Sequence, residues 1–175
     1  LKLQENSKTP SGENIHRQYL ELALDLKGWG LSKIYQRPNG NRWKHVIEPA
    51  VSYRYLAGLD NFDQIIRFDE HDAIANTNEV EYSISNRIFV KRKTELGTIN
   101  HEWLSLKVAQ KYFIDPDFGG ALKTNRANQF FPLNTITGFP FGGYRRNVSP
   151  INSLLRFSPE PGYSFDVRGD YDPAF

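Results

Sequence analysis

The sequence predicts an all-β fold, specifically an antiparallel, up-and-down segment of a transmembrane β-barrel with about six strands. Three observations favour it. In several segments apolar and polar residues alternate with a period of two, the pattern of a pleated strand with two unlike faces. No apolar run approaches the ~18 residues that a membrane-spanning helix needs. The connections between predicted strands alternate between shorter and longer, as they do in outer-membrane barrels.

Composition narrows the class of protein further. The net charge of +2, from 22 basic and 20 acidic residues spread along the chain, argues against a nucleic-acid surface. The mean hydropathy of -0.58 suits a barrel with a polar lumen, and the aromatic content of 14% suits its aromatic girdles. The 175 residues contain no Cys and no Met, begin at Leu1 and carry no secretory signal, so we expect one partial barrel domain, residues 1–175, that belongs to a longer protein.

The predicted strands follow from the alternation. Residues 1–14 are predicted to be loop and 28–41 a connector, because they carry Pro10, Gly12, Gly28, Gly30 and Pro38. The clearest strand lies near the C-terminal end, where Tyr163, Phe165 and Val167 alternate with polar residues. The six predicted strands span about 17–27, 43–55, 79–91, 102–113, 151–158 and 162–172.

Connection lengths suggest which side of a membrane each connection occupies. The long connections 56–78 and 115–150 are predicted to be extracellular loops, and 28–41, 91–100 and 159–161 periplasmic turns. Six strands cannot close a barrel, since the smallest known barrels have about eight, so the predicted barrel is incomplete.

Several sequence words in the central part resemble one family. They are Glu48-Pro49 on a strand, Phe68, Asp69 and Asp72 in a loop, Asn86-Arg87, and the pattern Gln110, Tyr112, Phe113. In their order and spacing, over about 43–113, they resemble the barrel domain of the lipopolysaccharide-assembly outer-membrane family LptD, also called organic solvent tolerance protein or OstA. No counterpart of the family's periplasmic β-jellyroll or disulfide cysteines is present in these residues.

The resemblance implies a function and partners. It implies a bacterial outer-membrane translocon that inserts lipopolysaccharide into the outer leaflet. Lipopolysaccharide, through its lipid A part, would be the transported ligand. An LptE-type lipoprotein plug, the periplasmic Lpt bridge and outer-membrane lipids would be the partners, and no cofactor, metal or enzymatic activity is implied.

Alternation divides the side chains into two predicted faces. In a barrel the apolar face contacts lipid, because an Arg or Lys there costs about 2–4 kcal/mol near mid-membrane, whereas the lumen tolerates charge. The predicted lipid-facing residues are Leu20, Leu22, Leu24, Val51, Tyr53, Val80, Tyr82, Leu104, Leu106, Phe165 and Val167. The predicted lumen-facing residues are Glu48, Arg54, Glu81, Arg87, Lys107, Lys111, Asp166 and Arg168.

Other sites and other protein classes have weaker support. Lys107, Lys111 and Arg168 could contact lipid A phosphates, although cross-strand salt bridges explain such residues more simply. The acidic segment 69–72 could hold a cation, but a solvated loop is the better interpretation. A porin, a plugged receptor and a soluble β-sheet binding domain stay open as alternatives. In the soluble case Leu20, Val167 and Tyr171 would point into a core, and period two alone does not separate the two orientations.

Overall fold

The chain folds into one antiparallel β-sheet. The structure, a computed structural model, describes residues 2–8, 14–38, 40–59, 76–94, 97–115 and 147–172. The strands are β1 (Lys2–Lys8), β2 (Asn14–Lys27), β3 (Leu31–Gln36), β4 (Arg42–Ala57), β5 (Thr77–Thr94), β6 (Gly97–Phe113), β7 (Ile151–Phe157) and β8 (Phe165–Tyr171). Among the residues described, no helix is long and apolar enough to cross a membrane.

Sheet order follows chain order. Neighbouring strands run β1-β2-β4-β5-β6-β7-β8, while β3 also pairs with β4. Every pairing is antiparallel. Within the described part of the chain β1 and β8 do not pair with each other, so the sheet is open. The predicted all-β, antiparallel, up-and-down architecture is therefore confirmed, and its membership in a transmembrane barrel stays a prediction.

β2 and β3 are two halves of one interrupted strand beside β4. Four residue steps from Lys27 to Leu31 face three steps from Ala50 to Ile47, so one extra residue is accommodated there. The cause is Pro49, which accepts a hydrogen bond from the Gly28 N–H at 2.8 Å but has no N–H to return. A Cβ on Gly28 would lie 2.8 Å from Pro49 Cγ, so the close approach requires glycine.

The structure corrects three boundaries predicted from the sequence. Residues 1–14 are not simply loop, because β1 pairs with the first half of β2, Lys2 opposite Leu20 and Lys8 opposite Asn14. The segment 28–41 is not simply a connector, because it contains β3. The turn placed at 91–100 is shorter, since β5 continues to Thr94 and β6 begins at Gly97. The described residues thus form eight strands, where the sequence predicted six for the whole chain.

Connections of different length meet at opposite ends of the sheet. At one end, the short-turn end, β3 joins β4 through 37–41, β5 joins β6 through 95–96, and β7 joins β8 through 158–164. The Arg37 N–H donates to Asn41 O at 2.9 Å, and Gly40 has a φ of 80° that favours glycine. At the other end, the long-connection end, β4 ends at Ala57, β5 begins at Thr77 and β6 ends at Phe113. Residues 60–75 and 116–146, which include most of both predicted extracellular loops, are outside the described residues.

Register divides the sheet into two faces, because residues directly opposite in an antiparallel ladder point the same way. One row runs Leu26, Val51, Tyr82 and Gln110. We call its side the apolar face and the opposite side the charged face. A row of the charged face runs Glu48, Ser85, Lys107, Leu154 and Arg168.

Burial is the reverse of that in a soluble sheet. Large side chains of the apolar face are exposed; Leu20, Leu22, Leu24 and Val167 expose between 52% and 61% of their surface. Val90, which is 0% exposed, is an exception on the apolar face, where it lies opposite Trp43. Leu56 and Phe113 are also buried, and they belong to the charged face near the long-connection end. Leu56 packs there with Tyr19 and Leu59. No second layer covers the apolar face within the part of the chain that the structure describes.

Candidate functional site

The register of the paired strands places the predicted lipid-facing and lumen-facing side chains on opposite faces of the sheet. Cross-strand pairs such as Leu24 with Tyr53, and Tyr53 with Val80, connect all eleven predicted lipid-facing residues into the apolar face. The same register brings all eight predicted lumen-facing residues to the charged face. Contact of these faces with lipid and with water stays a prediction.

Three aromatic rings cluster at the short-turn end. Trp103 makes edge-to-face contacts with Trp43, at 5.1 Å between ring centroids, and with Phe157, at 5.0 Å. Trp103 is the extra residue of a β-bulge, because Ile88 pairs with Leu104 while Phe89 pairs with Glu102. The Arg37 guanidinium lies 5.1 Å from the Trp43 ring centroid. The cluster therefore joins β4, β6 and β7 and ends in a cation.

Tyrosines occupy the apolar face nearer the long-connection end. Tyr53, Tyr82 and Tyr112 lie on three consecutive strands, and Tyr171 lies on β8. The Tyr82 hydroxyl donates to Gln110 Oε1 at 2.5 Å, which gives its polar atom a partner on the same face. The apolar face thus has Trp and Phe, together with Tyr35, toward the short-turn end and the other tyrosines named above toward the long-connection end, with aliphatic side chains such as Leu106 and Leu155 between them.

A three-strand ion network occupies the charged face near its middle. The Arg87 guanidinium of β5 donates from Nε to Glu102 Oε2 on β6 at 2.7 Å and contacts Glu48 Oε2 on β4 at 3.5 Å. It also lies 4.9 Å from the centroid of Phe89. One cation therefore joins three neighbouring strands by pairing with two carboxylates.

A second ion pair is more deeply enclosed. Lys111 Nζ contacts Glu79 Oε1, and the two side chains are only 8% and 9% exposed. Thr77 Oγ1 donates to the other Glu79 oxygen at 2.9 Å. Nearby, Arg54 Nε donates to Glu21 Oε1 at 2.9 Å, but those side chains are about one third exposed. Cross-strand salt bridges thus account for Lys111 and Arg54.

Two predicted lumen cations have a different environment. Among the described residues, neither Lys107 nor Arg168 forms a salt bridge, and both are exposed. They flank Leu154 in one row of the charged face. Along the neighbouring row, Arg156 pairs with Asp166 through two hydrogen bonds of 2.8 Å. Asp166 is therefore engaged mainly by Arg156, and the charge of Arg168 also acts on it.

Sequence alternation missed Glu102. Simple parity from Leu104 assigns Glu102 to the apolar face, yet the bulge at Trp103 returns it to the charged face beside Arg87. A Trp that interrupts strict alternation just after a turn is the sequence signal that could have indicated the bulge.

Metal-binding geometry is absent from the described ranges. No group of three or more His, Cys, Asp or Glu side chains is arranged there to hold a metal ion. The acidic segment 69–72 lies outside the described residues, so the structure does not test whether it holds a cation.

Comparison with known protein families gives a match over most of the chain. A family model described as "LptD: LPS transport system D" matches residues 37–174. No curated protein matches the chain. The matched range begins within the β3–β4 turn and includes β4 to β8, the strands that carry the aromatic cluster, the ion network and the enclosed ion pair.

Proposed function

Because the chain belongs to the LptD family, the family of LPS transport system D, we propose that its sheet is one wall of the outer-membrane barrel that inserts lipopolysaccharide into the outer leaflet. LptD proteins are transport components associated with the outer membrane. In the proposed role the wall has no catalytic task, and its two faces separate membrane lipid from the transported molecule.

The exposed apolar face supports the membrane half of the proposal. Barrel strands carry an apolar band about 25 Å tall between two aromatic girdles. From Trp43 to Tyr53, β4 rises about 33 Å at ~3.3 Å per residue, and a strand tilt of about 40° reduces this to about 25 Å across the membrane. The Trp43, Trp103 and Phe157 cluster and the tyrosine rows therefore have the separation of two girdles.

The charged face supports the lumen half. Charges there are organised by cross-strand ion pairs, which a hydrated wall can keep without burying an unpaired charge in lipid. Lys107 and Arg168, which have no salt bridge among the described residues, are the side chains we assign to transient contact with lipid A phosphates. Their separation by a single strand lets both reach one phosphorylated headgroup.

Open sheet edges support a larger assembly. The outer edge of β8, and that of β2 beyond Leu20, have no strand partner among the described residues, and unpaired edges readily add strands. Further strands of the same barrel would close it. The LptE-type plug and the periplasmic Lpt bridge complete the proposed pathway on the inner and periplasmic sides.

The rival protein classes fit less well. A soluble binding domain requires a covered apolar face, yet Leu20 is 53% exposed, Val167 61% and Tyr171 65%. A porin or a plugged receptor shares the barrel architecture but does not account for the family to which the chain belongs.

Photo-cross-linking in living cells tests the proposal. A photoreactive residue would replace Lys107, Arg168 or Leu22, one at a time, in the native protein. We expect lipopolysaccharide adducts at Lys107 and Arg168 that disappear when lipopolysaccharide supply is blocked, and adducts with bulk membrane lipid at Leu22. Lipopolysaccharide phosphates at Leu22 together with bulk lipid at the two basic positions would reverse the assignment of the faces.

A further inference from the structure

The cations of the apolar face lie at its short-turn end. From β3 to β8, Lys33 and Arg92 are the Lys and Arg residues that the described register places on this face. Each lies two residues along its strand from the row that contains Trp43. Arg37 of the β3–β4 turn joins them, because its guanidinium lies against the Trp43 ring. The Lys and Arg charges of this face are thus confined to one end of these strands.

No carboxylate balances these three cations within the described ranges. Lys33, Arg37 and Arg92 form no salt bridge there. From β3 to β8 the described register also places no Asp or Glu on the apolar face. Lys33 and Arg37 are exposed, and Arg92 is half-buried. This end of the face therefore carries positive charge that an external anion can reach.

Aromatic rings hold two of the charges near the end of the sheet. Lys33 Nζ lies 5.2 Å from the centroid of Tyr35, which is two residues nearer the turn, so the Lys33 side chain extends toward that end. Arg37 Cζ lies 5.1 Å from the Trp43 centroid. Long cationic side chains take this arrangement at a membrane interface, where the stem contacts lipid tails and the charge reaches the headgroups. A charge at that depth costs far less than one at mid-membrane.

A headgroup with net negative charge fits this end better than a zwitterionic headgroup. A zwitterionic headgroup carries an ammonium beside its phosphate, and the described apolar face of β3 to β8 offers no carboxylate to the ammonium. A phosphate accepts charge-assisted hydrogen bonds from Lys and Arg. β3 and β5 flank β4 and are therefore about 10 Å apart at ~4.8 Å per strand. Long side chains from both strands can reach one headgroup across that distance.

We propose that Lys33, Arg37 and Arg92 form a site for an anionic glycerophospholipid of the leaflet at the short-turn end. The phosphate lies among the three cations, the glycerol lies beside Trp43, and the acyl chains lie along exposed apolar side chains such as Leu31, which is 69% exposed. The site rests on the membrane location proposed above. It lies on the face opposite to the one assigned to the transported molecule, and the bound lipid fixes the depth of this end of the sheet.

Photo-cross-linking of the native protein in vesicles of phosphatidylethanolamine and phosphatidylglycerol tests the site. A photoreactive residue replaces Leu31, and mass spectrometry identifies the lipid attached to it. We expect phosphatidylglycerol to be enriched about tenfold over its share of the vesicle lipid, because each nearby Lys or Arg favours an anionic headgroup. The same photoreactive residue at Leu22, opposite Tyr55 and far from the three cations, should form adducts in the proportions of the bulk lipid.

Two triple variants separate the proposed site from net charge, because each removes three cations at the short-turn end from one face. They are Lys33→Gln with Arg37→Gln and Arg92→Gln for the apolar face, and Arg42→Gln with Lys44→Gln and Lys91→Gln for the charged face. The apolar-face variant should abolish the enrichment of phosphatidylglycerol at Leu31. The charged-face variant changes the net charge equally and should leave the enrichment unchanged.

A charge-conserving variant, Lys33→Arg with Arg37→Lys and Arg92→Lys, should keep the enrichment. Bulk proportions of the two lipids at Leu31 in the wild type, or an equal loss of enrichment in the two Gln variants, would overturn the site, while lipid adducts at Leu22 would still support the membrane location. If neither Leu31 nor Leu22 formed lipid adducts, the membrane location and the site would both be overturned.

Discussion

The two faces of the sheet follow opposite rules. On the charged face, cations and carboxylates of neighbouring strands pair, and a few side chains such as Leu56 and Phe113 are buried. On the apolar face, Leu22 and Phe165 are more than half exposed. If water surrounded both faces of the sheet, the charged face should be the more exposed of the two. The proposed membrane location explains this difference, because lipid would then cover the apolar face in place of a second protein layer.

The enclosed ion pair of the charged face gives the largest expected effect. Lys111→Met leaves Glu79 buried without its cation, which should destabilise the native protein by about 3–5 kcal/mol in vesicle-based chemical unfolding. Adding Glu79→Gln in the same molecule should restore most of the loss, because no unpaired charge remains. If the double variant were as unstable as the single one, the pair would not be the cause.

A charge introduced on the apolar face should have the second-largest effect on stability. Leu106→Arg places a cation where we predict lipid, so unfolding in lipid vesicles should require about 2–4 kcal/mol less free energy. Ser83→Arg is the matched control on the charged face, because Ser83 lies opposite two alanines, Ala50 and Ala109, and it should stay within about 1 kcal/mol of wild type. Equal losses in the two variants would erase the distinction between the faces.

The aromatic cluster should contribute less to the stability of the protein than the two preceding features. Trp103→Leu removes the ring contacts with Trp43 and Phe157, each worth about 0.5–1.5 kcal/mol beyond burial. Thermal unfolding of the reconstituted protein measures the change. Trp29→Leu serves as the control because Trp29 is 94% exposed; a comparable loss there would show that any Trp, rather than this cluster, stabilises the sheet.

The exposed ion pair should matter least. Arg54→Gln removes a salt bridge with Glu21 whose side chains are about one third exposed. The expected loss in chemical unfolding is about 0.2–1 kcal/mol and should shrink as salt is added, since exposed pairs are screened. A loss as large as that of Lys111→Met would mean that burial does not determine the strength of these pairs.

Alternation in the sequence was sufficient to assign the faces of most strands. Leu20, Leu22 and Leu24, or Phe165 and Val167, alternate strictly with polar residues, so parity alone indicates their side. The sequence pattern did not predict β3, because Leu31 and Ile34 lie on different faces. In addition, Gly28 and Gly30 are typical of a connection between strands. β1 was not predicted because its sequence has almost no apolar residues and therefore no apolar alternation. It is a strand because it pairs with β2.

The ion pairs and the opposed like charges of neighbouring strands depend on register, which single-strand patterns do not contain. Arg42 and Lys91 are far apart in the chain, and only the β4–β5 ladder places them directly opposite. Similarly, the bulge at Trp103 moves Glu102 to the charged face and gives Arg87 its main partner. The pairing between strands, which depends on the whole sheet, therefore determines which charged side chains meet.

Accessibility of single cysteines tests the central claim most directly, since the chain has no Cys of its own. Leu22→Cys, Leu106→Cys and Val167→Cys on the apolar face would be compared with Ser83→Cys, Lys107→Cys and Arg168→Cys on the charged face, all in the native protein within membranes. We predict that a water-soluble maleimide labels only the charged-face positions and a membrane-soluble one labels the apolar-face positions. Rapid labelling of Leu22→Cys and Leu106→Cys by the water-soluble reagent, with Lys107→Cys protected, would contradict the account.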